Sequence, residues 1–117
     1  MPIKTKKLTK NDLQPYYPVT VKNADGTTVN LTGAAIVCTM RLLGSSTPKI
    51  SRQNAGIAIT DAVNGQFEYR WQAGDTDIAG VYNIEFEITP QTGGKFTLPN
   101  PGEGPAQVEI VDSLDTV

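Results

Sequence analysis

The stretch VYNIEFEIT, residues 81–89, alternates apolar and polar residues without a break. Successive side chains of an extended chain point to opposite faces. Tyr82, Ile84, Phe86 and Ile88 therefore fall on one side, and Asn83, Glu85 and Glu87 on the other. A helix would scatter both sets around its axis, so this segment can bury an apolar face only as a strand. The same period of two recurs along the chain. Residues 34–43 place Ile36, Cys38, Met40 and Leu42 on one face, and residues 67–71 do the same with Phe67, Tyr69 and Trp71. Residues 106–111 bury Val108 and Ile110. The segments 3–9, 16–23, 56–62 and 95–99 also read as short strands, with Ile57 and Ile59 on one face and Pro18 confining its strand to an edge or a start. Residues 11–17 cannot sustain a helix, because Pro15 arrives within a turn of any start.

Turn chemistry separates these runs. Asp25-Gly26 and Asn64-Gly65 each lie between β-prone stretches, the pairing expected of a type I′ hairpin. Residues 44–48 and 100–105 read as loops and 90–96 as a turn. Short strands with turn signals at intervals of about 8–12 residues predict an all-β fold. The expected architecture is an immunoglobulin-like β-sandwich of about seven to nine short antiparallel strands with no substantial helix. The 117 residues suit a single domain, 1–117, with 1–13 as an edge strand or arm and 112–117 as a loose tail.

Composition narrows the chemistry. The chain has no histidine, which removes Ser-His-Asp and Cys-His catalysis, the usual zinc sites and the ordinary pH switch. Its one cysteine, Cys38, excludes an internal disulfide framework and sits in an apolar run, so it reads as a core residue. The net charge of −2 is uneven: Lys4, Lys6, Lys7 and Lys10 against Asp12 make residues 1–13 basic, and the remainder is acidic. With no basic stripe, nucleic acid is not an expected partner. No apolar run reaches the ~20 residues of a membrane-spanning helix, and the N-terminus lacks the apolar core of a signal peptide. Folding in a cytoplasm is expected, without a membrane partner.

In immunoglobulin-like sandwiches a tyrosine near the start of a late strand bonds back to the backbone at the corner, two residues before the second disulfide cysteine. DIAGVYNI, residues 77–84, fits that corner, with Asp77, Gly80 and Tyr82 as its structural residues and Ile84 where the cysteine would stand. Trp71 follows Cys38 by 33 residues, a spacing unlike an antibody domain. Asp75 and Asp77 read as residues that satisfy loop amides; as calcium ligands, with Glu85, they lack a fuller set of oxygens. Glu85 and Glu87 lie ~6.5–7 Å apart on one strand face, a separation open to an inverting glycosidase pair but ordinary for solvated residues. No catalytic residue, cofactor or metal site is therefore expected. The predicted core comprises Ile36, Cys38, Met40, Phe67, Tyr69, Trp71, Ile84, Phe86 and Ile88. Lys4, Lys6, Lys7, Tyr16 and Tyr17 are the candidate interface residues. The two tyrosines, flanked by Pro15 and Pro18, point to opposite faces if extended.

The order of these features resembles the N-terminal domain of phage baseplate upper proteins and related immunoglobulin-like tail domains of bacterial viruses. NDLQPYYPVTVKNADGTTVNLTGAAIVCTMR (11–41) resembles their opening, with the step Asn30-Leu31-Thr32-Gly33-Ala34 into a buried strand. GIAITDAVNGQFEYRWQAGDTDIAGVYNIEFEIT (56–89) resembles their second half, GGKFTLPNPG (93–102) their closing strand and loop, and VEIV their last strand. The resemblance implies a structural protein of a bacteriophage virion, tail- or baseplate-associated or a decoration protein. Such a protein acts by assembly with other virion proteins, as a homo-oligomer or ring, without catalysis. Those baseplate proteins continue past this domain into longer parts, whereas the sequence here stops at residue 117. The alternative function is a module binding carbohydrate or protein on a host surface, for which an exposed aromatic on a loop such as 44–54 is the expected sign.

Overall fold

The computed structural model describes residues 5–99 and 106–114. They form nine strands: β1 Thr5–Thr9, β2 Tyr17–Thr20, β3 Ala35–Leu42, β4 Pro48–Gln53, β5 Ile57–Asp61, β6 Gln66–Tyr69, β7 Gly80–Thr89, β8 Phe96–Leu98 and β9 Ala106–Val111. No helix occurs among the described residues. The strands make two sheets, one ordered β1-β9-β7-β3-β4 with β8 also on β7, the other β2-β6-β5. This is an all-β sandwich. Immunoglobulin sandwiches divide their strands between two sheets in a comparable way.

The alternation in sequence becomes the inner face of the larger sheet. Ile36 pairs with Ile88, Cys38 with Phe86 and Met40 with Ile84 across the β3–β7 ladder, and all six are buried. Tyr82 pairs with Val108 and Gly80 with Ile110 on β9. From the smaller sheet, Tyr17, Phe67 and Tyr69 face them. Phe86 is the bolt between the layers. Its ring lies 5.2 Å from Phe67, edge-on, and 5.6 Å from Tyr17. Edge-to-face packing puts the positive rim of one ring on the negative face of the other. Trp71 lies just past the end of β6 yet is buried against Tyr69, with its indole N–H donating to the Pro15 carbonyl at 3.0 Å.

Three local readings change. Residues 44–54 are not one loop, because 48–53 form β4, which pairs with β3 from Cys38↔Gln53 to Arg41↔Pro48. Only Ile50 of β4 is buried, so an edge strand with a bulge leaves almost no apolar trace in sequence. The two hairpin turns are not type I′, which needs positive φ at both central residues. Here φ is positive at Gly26 and Gly65 but not at Asp25 or Asn64. Each turn instead closes an i→i+3 backbone bond, Gly26 N to Asn23 O and Gly65 N to Ala62 O. Glycine is the residue that takes the left-handed conformation. Finally, β1 runs parallel to β9, Leu8 opposite Ile110, while the other ladders are antiparallel.

Candidate functional site

The loop before β7 is held from three directions. Asp75 accepts from the Tyr69 hydroxyl at 2.7 Å and from the Gln72 amide at 2.8 Å. Burial first, and then this bond to Asp75, push the Tyr69 hydroxyl well above its usual range. Thr76 is buried, and its hydroxyl donates to the Asp12 carbonyl at 2.9 Å while the Asn11 amide donates to the Thr76 carbonyl. Asp77 pairs with Lys49 of β4, and that bond draws its carboxyl below the ordinary value. Past the loop, the Tyr82 hydroxyl donates to the Ile78 carbonyl at 2.7 Å. This is the corner bond anticipated from residues 77–84. Leu42 lies where a side chain on Gly80 would go, its Cδ1 only 2.6 Å from that position.

The loop is thus a structural corner whose polar groups serve one another. Asp75 and Asp77 turn to different partners, one toward the core tyrosine and one toward a lysine on the neighbouring sheet edge. Among the described residues no three His, Cys, Asp or Glu side chains come together to hold a metal. Glu87 is bound by Arg52 at 2.7 Å with Lys95 at 3.6 Å, which lowers its carboxyl, chiefly through the Arg52 hydrogen bond. Glu85 lies opposite Thr39 on the exposed row. The Cys38 thiol is fully buried and burial pushes its pKa up, so it offers no thiolate.

The interface candidates divide. Tyr17 is corrected: it is buried in the core against Phe86, and burial pushes its hydroxyl up to about 12. Tyr16, on the opposite side, is half-buried beneath the Arg70 guanidinium, 5.4 Å from its ring centroid. Lys7 is exposed and pairs with Glu109 at 3.6 Å, Lys6 is half-buried, and Lys4 lies outside the described residues. The residues named as core, Ile36, Cys38, Met40, Phe67, Tyr69, Trp71, Ile84, Phe86 and Ile88, are all buried.

A feature that sequence reasoning missed lies at the same end of the sandwich as the corner. Leu13, Leu43, Ile78, Val111 and Leu114 are all exposed there, Ile78 at 52%. Their placement follows from the backbone. The Leu43 amide donates to the Val81 carbonyl, and the Val111 carbonyl accepts from Lys10. Ile78 precedes β7 by two residues. Asp12 is tied to Thr76, which brings Leu13 to the same end. Leu114 follows β9 by three residues. Seven large apolar side chains are exposed among the described residues, and these are five of them. Each stands alone in its own segment, so no local pattern marks them as a group.

No protein-family model and no curated protein matches this chain.

Proposed function

We propose that this protein is a structural component of a bacteriophage particle, tail- or baseplate-associated or decorating the shell, that works by docking onto other particle proteins and not by catalysis. The observation behind this reading is the gathering of exposed apolar side chains at the corner end, around Leu43, Ile78 and Val111. Exposed apolar groups collected on one surface mark interaction sites more often than scattered ones do. The polar groups of that end are engaged with each other, as the Asp75, Asp77 and Thr76 bonds show. That arrangement favours packing over the binding of a small polar ligand. The resemblance of residues 11–41, 56–89 and 93–102 to baseplate upper proteins supplies the context of a particle.

The test is quantitative mass spectrometry of purified virus particles from the source that encodes the chain. A fixed multiple-copy ratio to tail or capsid proteins is the expected result. Absence from particles, together with binding to host cells, would replace this reading with the host-surface module.

A further inference from the structure

Of the two exposed apolar side chains away from the corner end, Ile59 lies on β5, the outer strand of the smaller sheet among the described residues, and Val63 lies in the turn that follows it. Sheet edges present unpaired N–H and C=O groups, and proteins blunt them with lysine, proline, bulges or brevity. The other edges here carry such devices. β1 has Lys6 and Lys7, β2 has Pro18, and β4 begins at Pro48 and is bulged; β8 is three residues long and followed by Pro99. β5 reads Ile57-Ala58-Ile59-Thr60-Asp61, with no lysine, arginine or proline.

Its hydrogen-bonding direction is fixed by the register. The Arg70 amide donates to the Gly56 carbonyl at 2.7 Å, and Ile59 stands opposite Phe67. Antiparallel pairs alternate between bonded and non-bonded positions, so Gly56 and Ala58 face β6 while Ile59 turns its amide and carbonyl outward. The Ile57 amide is already used by Asn54 O at 3.0 Å, but its carbonyl also points outward. Among the described residues β5 has β6 as its only ladder partner, although β3 packs close by.

We propose that β5 pairs antiparallel with β5 of a second copy of this chain about a two-fold axis at Ile59. This deepens the assembly reading and rests on it for its biological setting. The strand is complementary to itself in that register. Ile59 meets Ile59 of the other copy with both exchanging backbone bonds, and Ala58 meets Thr60. Asp61 faces Ile57 and no like charge, and Asn64 holds its carboxylate at 2.8 Å. A net charge of −2 opposes association only slightly. The two three-stranded sheets then become one sheet of six. The register shift between Ile59 and Asp61 shortens the usable edge, so the dimer forms at high protein concentration, as in a particle, and dissociates on dilution.

Sedimentation of the purified full chain over a wide concentration range tests this. The expected result is a rise toward twice the monomer mass, and Ile59→Lys weakens association by roughly tenfold or more at an unchanged melting temperature. Ile59→Cys, with Cys38 buried and silent, forms a covalent dimer on oxidation, because a bonded antiparallel pair brings Cα atoms to ~5.5 Å. A chain that stays monomeric at the highest concentration overturns the proposal. So does a dimer that survives Ile59→Lys, which assigns association to another surface such as the corner end. A β5 dimer of a chain absent from particles leaves this inference standing and removes the virion reading. A monomeric chain found in particles does the reverse.

Discussion

The two sheets face the same core but meet solvent differently. The larger one is long, and its exposed rows are cross-linked: Arg52 and Lys95 on Glu87, Lys7 on Glu109. Its free edges are charged, bulged or short. The smaller one has three strands of four or five residues, and its edge at β5 carries a register shift but no lysine, arginine or proline. The larger sheet therefore guards its edges with charge and proline, while on the smaller one Pro18 guards β2 and β5 has only a register shift near its end. Exposed polar pairs add little stability each, so the difference concerns what each sheet will accept as a neighbour more than how firmly each is held.

Several measurements would break or sharpen this comparison. The largest effect is expected where the sheets meet. Phe86→Ala removes the ring that touches both Phe67 and Tyr17, and a loss of ~3–5 kcal/mol in denaturant unfolding is expected. A smaller loss would mean that the smaller sheet collapses onto β7 without its bolt. Gly65→Ala comes next. Its Cβ would stand 2.7 Å from the Val21 and Val29 carbonyl oxygens, at a φ of +70°, and a loss of ~1–3 kcal/mol is expected. An unaffected midpoint would show that the turn end of the smaller sheet yields readily. At the corner, Tyr82→Phe removes only the bond to Ile78, and a loss of ~1 kcal/mol is expected in the same assay.

The pH limits should separate the faces. Glu87 and Asp77 have lowered carboxyls through Arg52 and Lys49. Their contribution is present above the ordinary carboxylate range and is lost as pH falls through the lowered values, below about pH 4. Asp77 is exposed and Glu87 half-buried at the surface, so this acid arm should be shallow and weaken in high salt. Tyr17, Tyr69 and Cys38 have raised values, Tyr17 up to about 12. Their contribution is complete below the ordinary thiol and phenol range and is lost as pH rises through it toward about 12. Thermal melts across pH would show the alkaline arm as the steeper. Equal slopes would mean that the surface pairs matter as much as the core. The smallest effect should come from Ile78→Asp at the corner end. It should leave the melting temperature within about 0.5 kcal/mol of unchanged stability while abolishing docking onto particle proteins in a pull-down.

Most strands were legible because period two is a property of adjacent residues. β3, β7 and β9 announce themselves through Ile36, Cys38 and Met40, through Tyr82 to Ile88, and through Val108 and Ile110. The tyrosine corner was legible because its bond spans only from Tyr82 to Ile78. β4 was not, since Ile50 is its one buried residue. Nor was the side on which the Tyr16-Tyr17 pair faces the core. Alternation says that two neighbours point oppositely and leaves open which points inward. The turns were located by their glycines, but their conformation was misjudged, because Asp-Gly and Asn-Gly also suit turns with a single left-handed residue.

By itself, then, the sequence determined an all-β chain, its buried faces, a core without disulfide, and the absence of histidine chemistry. Each follows from the kind and spacing of near neighbours. Only the tertiary structure decided which carboxylates share partners, which strand edge is left without a ladder partner among the described residues, and that Leu13, Leu43, Ile78, Val111 and Leu114 lie toward one end. These relations join residues up to a hundred positions apart, and they exist only once two sheets have set the ends of nine strands in place.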